Sequence, residues 1–177
     1  MGFTAFRGDQ LLARGDLATI IRAAHPAADD HPVVLDDSTG RLTDVDLRGS
    51  LNAAVARLQS EVVQASPRRG RPKLGVTARE VTLLPRHWDW LAAQPGGASA
   101  ALRRLVDKAR KDTVDADARR QLLEAAYRAA TALAGDRPGY EEAIRDLFAG
   151  DFDGFRQRIA AWPPDIAAYL SDLIEPS

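Results

Sequence analysis

Apolar and polar positions alternate over residues 3–15. Phe3, Ala5, Leu11 and Ala13 flank the run Arg7-Gly8-Asp9-Gln10. A two-residue period broken by turn-forming residues predicts a β-hairpin. The period then changes. Asp16 precedes Leu17, Ile20, Ile21 and Ala24, which share one face at helical spacing, and His25-Pro26 stops the helix. Val33 to Leu35 predicts a short strand, Asp36-Asp37-Ser38-Thr39-Gly40 a turn, and Leu42, Val45 and Leu47 a returning strand ended by Gly49. These elements make a small β-β-α-β-β unit over residues 1–49.

Ser50 is placed to cap a helix whose stripe is Leu51, Ala54, Val55, Leu58 and Val62. Ser66 to Lys73 then brings two prolines, a glycine and four cations, so residues 50–75 read as a helix followed by an exposed, extended basic linker. The β-branched run from Val76 to Leu84 predicts a strand. Pro85 suits the first turn of the next helix, with Trp88, Leu91 and Ala92 on its apolar face. Trp88 is assigned to the core. Trp90, two residues on, faces another side and is a candidate for a dimer or interdomain contact. Pro95-Gly96-Gly97 ends this helix, and a second starts near Ser99 with Leu102, Leu105, Val106 and Ala109 along one side. Residues 112–177 read as all-helical: Leu122 to Leu133, then Tyr140, Ile144, Leu147 and Phe148, then Phe152, Phe155, Ile159 and Trp162. A last short helix runs from Asp165 to Ile174. The fold class is α+β.

Composition narrows the chemistry. In 177 residues there is no cysteine, which excludes a disulfide framework, a thiolate zinc site and a cysteine nucleophile. No stretch approaches the ~18 apolar residues of a membrane-spanning helix, and Met1 to Arg7 lacks the plan of a signal peptide. A cytoplasmic location is expected. The formal charge of -1 conceals a strong asymmetry. Residues 1–66 carry a net −3, residues 67–111 a net +8 and residues 112–177 a net −6. A basic centre between acidic flanks points to a polyanion partner. Basic and acidic segments facing each other within one fold would give the same asymmetry.

The order over residues 79–111 is strand, proline, helix, glycine turn, helix. It runs through Arg79-Glu80-Val81-Thr82-Leu83-Leu84-Pro85 and Pro95-Gly96-Gly97-Ala98-Ser99. This segment resembles the ribbon-helix-helix DNA-binding fold of the Arc and MetJ repressors. The resemblance implies a homodimer formed through residues 76–111, whose paired strands enter the major groove. It also implies a phosphate held by the backbone N–H groups of Gly97, Ala98 and Ser99. Arg79, Thr82 and Arg86 would lie at the ribbon. The segment departs from the family in its outward positions: neither Arg79, Val81, Leu83 nor Glu80, Thr82, Leu84 gives a full row of hydrogen-bonding side chains.

Just upstream, Arg69-Gly70-Arg71-Pro72 is similar to the core of an AT-hook, which implies insertion into a narrow A·T minor groove. Arg68, Arg69, Gly70, Arg71 and Lys73 are its candidate contacts. Pro85-Arg86-His87-Trp88-Asp89-Trp90-Leu91, Phe3-Thr4-Ala5-Phe6 and Ala161-Trp162-Pro163 also resemble an uncharacterised bacterial family. That likeness implies a bacterial source and assigns no activity.

Catalytic signals are few. His25, His31 and His87 are scattered, and His87 reads as a helix-surface residue. Asp36, Asp37, Asp44 and Asp46 lack EF-hand spacing and read as solvated turn carboxylates, and no phosphate-binding glycine loop occurs. No catalytic residue, metal or cofactor is expected. The leading expectation is a dimeric binder of double-stranded DNA with A·T preference, either a transcription regulator or a nucleoid-type protein. The alternative is a protein-interaction module whose acidic helical region masks the basic centre or recruits a protein partner. A third class, an enzyme using the N-terminal acidic turns, has no motif behind it.

Overall fold

The computed structural model describes residues 2–65 and 79–175. The chain divides into two compact units, one of residues 1–66 with 119–177 and one of residues 67–118.

The larger unit is built on a four-stranded antiparallel sheet. Its strands are β1 (Phe3–Arg7), β2 (Gln10–Gly15), β3 (Val33–Asp36) and β4 (Arg41–Leu42), in the order β2-β1-β3-β4. The hairpin expected at residues 3–15 is β1 and β2. It carries one bulge: Ala5 lies opposite Ala13 but Phe6 opposite Leu11, which leaves Leu12 as the extra residue. Alternation sorts the side chains to two faces. Ala5 and Val34 pack with Ile20 of α1 (Leu17–Ala24), which Asp16 caps through the Thr19 N–H. Phe6 and Leu35 point the other way, into the larger core. A 3-10 turn (His25–Asp30) follows α1 and ends at His31, whose φ of 50 is left-handed.

The returning strand is shorter than its alternation implies. β4 stops at Leu42, and the last ladder bond runs from the Thr43 N–H to the Val34 carbonyl at 2.8 Å. Beyond it the Asp46 carboxylate holds the Arg48 N–H and guanidinium and the Arg57 guanidinium. This local bonding competes with a strand. Ser50 then caps α2 (Leu51–Ala65) as expected, its hydroxyl accepting from the Ala53 N–H at 3.3 Å.

The larger core is helical. The end of α4 (Gly97–Ala134) supplies Ala126, Ala129, Ala130 and Ala134. Against them pack α5 (Tyr140–Ala149), α6 (Phe152–Ile159) and α7 (Pro164–Leu173), through Leu147, Phe155, Ile159, Ile166 and Leu170. Trp162 follows α6. It is buried, stacks on Tyr140 and donates its indole N–H to the Pro138 carbonyl at 3.0 Å. Phe148, expected on the core stripe, is exposed beside the Tyr127 ring. The 36–40 turn docks directly on α4. Gly40 has φ +64, and a Cβ there would lie 2.0 Å from the Ala125 carbonyl oxygen, so only glycine fits.

The smaller unit differs from expectation in three ways. Residues 79–84 form no strand, since they have no ladder partner among the described residues; residues 76–78 of the expected strand lie outside those residues. Trp88 is not in a core: it is exposed, and Leu91 is the buried residue of α3 (Pro85–Ala92). The helix that starts near Ser99 does not stop near residue 111, because α4 runs unbroken for 38 residues. Residues 108–121 contain no glycine or proline, and Lys108–Asp112 and Thr113–Asp117 bridge successive turns. Pro85 opens α3 as expected. Among the described residues, no helix is long and apolar enough to cross a membrane.

Candidate nucleic-acid interface

The smaller unit carries 11 cations and 6 carboxylates, a net +5, whereas the larger unit nets −6. Arg68, Arg69, Gly70, Arg71 and Lys73 lie outside the described residues. Arg79, Thr82 and Arg86 are all exposed, on the irregular 79–84 segment and the first turn of α3.

The turn between α3 and α4 is held by backbone bonds and by two arginines. The Gln94 N–H donates to the Leu91 carbonyl at 3.2 Å, and the Gly97 N–H donates to the Gln94 carbonyl at 2.9 Å. Gly97 is therefore not a free donor, which corrects its expected phosphate contact. Ala98 and Ser99 sit in the first turn of α4, where N–H groups have no partner inside the helix. Arg103 donates to the Ser99 carbonyl at 3.2 Å and Arg104 to the Pro95 carbonyl at 3.0 Å. Two guanidinium groups thus stand beside a helix N-terminus, whose own dipole favours anions.

Sequence reading missed the cations of α4. Arg103, Lys108, Arg110 and Lys111 are exposed on α4; helical spacing puts Lys111 opposite the stripe Leu102, Leu105, Val106 and Ala109, with the other three on its flanks. The signal was present in that spacing. Spacing places the stripe along one side but does not say whether that side faces a core. Instead Leu105 is 46% and Val106 54% exposed. Leu83, His87, Trp90, Leu91, Leu102 and Leu105 line an apolar groove of about 270 Å³ between α3 and α4. Trp90 is 52% exposed at this groove, on the outside of the unit.

The acidic turns of the larger unit are engaged within the protein. Asp36 accepts from the Ser38 N–H and hydroxyl at 2.8 and 2.6 Å. Asp37 is not a solvated turn carboxylate: it accepts from the buried Thr4 hydroxyl at 2.7 Å and the Tyr169 hydroxyl at 3.1 Å. Burial, and then the Asp37 charge, push the Tyr169 phenol far above its ordinary value. The Arg48 guanidinium, then its N–H, and Arg57 hold the Asp46 carboxyl well below the usual carboxylate range. His25, His31, Asp44 and Asp46 line an open cleft, where a His25 ring nitrogen lies 2.9 Å from the Gly49 carbonyl. Among the described residues, no three histidine or carboxylate groups are gathered to hold a metal ion.

The mixed α+β fold, with its N-terminal hairpin and helical C-terminal half, has a counterpart in sequence. Residues 2–174 match the family model described as "Uncharacterized protein conserved in bacteria (DUF2239)". The chain belongs to that family. No curated protein and no solved structure gives a match.

Proposed function

We propose that the protein binds double-stranded DNA as a homodimer through its central basic unit, as a transcription regulator or nucleoid-type binder. The observation that carries this reading is the two-sided character of α4. An exposed apolar stripe runs along one face, and cations flank it and occupy the opposite side together with the exposed Val114. A helix needs burial of one face to be stable, and a second chain supplies it while leaving the cations free for phosphates. The 79–84 segment, which has no strand partner among the described residues, fits a ribbon completed by a second chain, and Arg69-Gly70-Arg71-Pro72 fits a minor-groove arm that prefers A·T pairs.

The test is fluorescence anisotropy with matched A·T-rich and G·C-rich duplexes across a salt titration. Salt-sensitive binding with A·T preference is expected. Arg71→Ala should weaken the A·T-rich complex more than the G·C-rich one; an equal loss on both would make Arg71 a phosphate contact only. Absence of binding at low salt would overturn the reading and favour the second one, a protein-interaction module. The α3–α4 groove supports that second reading. The acidic C-terminal helices do not, because Phe155 and Trp162 are already buried within their own unit.

A further inference from the structure

We infer that α4 pairs with the α4 of a second copy in antiparallel orientation, along the stripe Leu102, Val106, Ala109, Thr113 and Ala116. The inference rests on the homodimer of the preceding reading and specifies its surface and geometry. Every residue from 103 to 116 is exposed. The i,i+4 contacts Lys108–Asp112 and Thr113–Asp117 support this stretch, but they leave its apolar positions bare, which a second chain would cover. The five stripe positions alternate by four and three residues, the spacing of a helix-pairing seam. Leu105 and Trp90 extend the apolar surface beside that seam.

Charge selects the occupant and its direction. Residues 103–111 hold five cations and one aspartate, a net +4, and residues 112–117 hold three aspartates, a net −3. A parallel pair would set the basic block against its own copy. An antiparallel pair sets the basic block of each chain against the acidic block of the other, twice, about a two-fold axis. The same arrangement matches volumes. Leu102 and Leu105 of one copy fall against the small Thr113 and Ala116 of the other, and Ala109 near the axis lets the helices approach. The outer cations of both copies then face away from the seam. A surface complementary to itself in this way fits a second copy of this chain better than an unrelated protein.

The natural absence of cysteine makes the test direct. Full-length Arg103→Cys and Asp117→Cys chains are treated, without DNA, with a short-span bismaleimide, each alone and mixed. Antiparallel pairing expects a crosslinked species in the mixture and little in either chain alone. Crosslinking of each variant with itself would mean parallel pairing and overturn the proposal. Sedimentation of the unmodified chain provides a second measurement: a monomer at every concentration tested would also overturn it. A triple Asp112→Lys, Asp115→Lys, Asp117→Lys chain, still helical by circular dichroism, should self-associate at least about tenfold more weakly. Unchanged association would again contradict the pairing. Because DNA is absent throughout, crosslinking that succeeds while duplex binding fails would leave the pairing standing and remove only the DNA reading.

Discussion

The two units treat the same kind of residue in opposite ways. In the larger one, Phe6, Leu147, Phe155, Ile166 and Leu170 are fully buried in one continuous cluster. In the smaller one, Val81, Leu84, Trp88, Trp90, Leu105 and Val106 are exposed. Charge follows the same division, with −6 on the self-sufficient unit and +5 on the unit with its apolar face outside. Periodicity tells which residues share a face. It does not tell whether the partner of that face belongs to the same chain.

Mutation should expose this contrast most strongly in the core of the larger unit. Removing residues 119–177 takes away the helices that cover Phe6 and Leu35. The truncated chain is expected to aggregate or to lose its cooperative thermal transition; a soluble protein with a sharp melt would show the sheet to be independent. Phe155→Ala should cost about 3–5 kcal/mol, through lost burial and the cavity left behind. Trp90→Ala, a residue of similar size, should move the stability of the dilute chain by less than about 0.5 kcal/mol, the range for exposed positions. Chemical denaturation of the two variants side by side checks the pair, and equal losses would erase the distinction between the units.

Tyr169 gives a pH signature to the larger unit. Its folded pKa lies above the unfolded value of about 10, so the stabilising preference is for the neutral phenol. That contribution is complete below about pH 10 and is lost as pH rises above the unfolded value towards the folded one. Tyr169→Phe should therefore lower stability at pH 7 by about 1–3 kcal/mol, through the lost bond to Asp37, and flatten the decline in alkali. Denaturant midpoints at pH 7 and above pH 10 measure both effects. An undiminished alkaline decline in the variant would assign the titration elsewhere. The smallest effect is expected at Lys108–Asp112, an exposed i,i+4 pair: Lys108→Gln should change stability by about 0.3–0.5 kcal/mol at most.

Local structure was largely legible in the sequence. The hairpin, the Asp16 and Ser50 caps and Pro85 at the start of α3 each depend on a few neighbouring residues. What was not legible depends on contacts distant in sequence. The sheet of residues 3–42 shares a core with helices beyond residue 119, and nothing periodic in the sequence marks that pairing. Asp37 looked like any turn carboxylate because its partners, Thr4 and Tyr169, lie far away along the chain. Trp88 was misplaced because helical spacing gave its face but not what lies opposite. The continuity of α4 was obscured by its polar middle, where Val114 is the one large apolar residue and marks no stripe, but no glycine or proline forbids a helix. Of the candidate interface, the basic block and the spacing of its α4 cations were readable in the sequence, whereas the occupied Gly97 N–H and the exposure of the stripe beside those cations required three dimensions.

The central claim concerns the basic unit, and the salt dependence of duplex binding tests it most directly. Each phosphate neutralised contributes about −0.9 to the slope of log K against log salt. Replacing Arg103, Arg110 and Lys111 by glutamine should weaken binding and make the slope shallower by up to about 2.7, since α4 would lose three cations. A slope unchanged by the three substitutions, or no binding by the unmodified chain at low salt, would contradict DNA binding by this face.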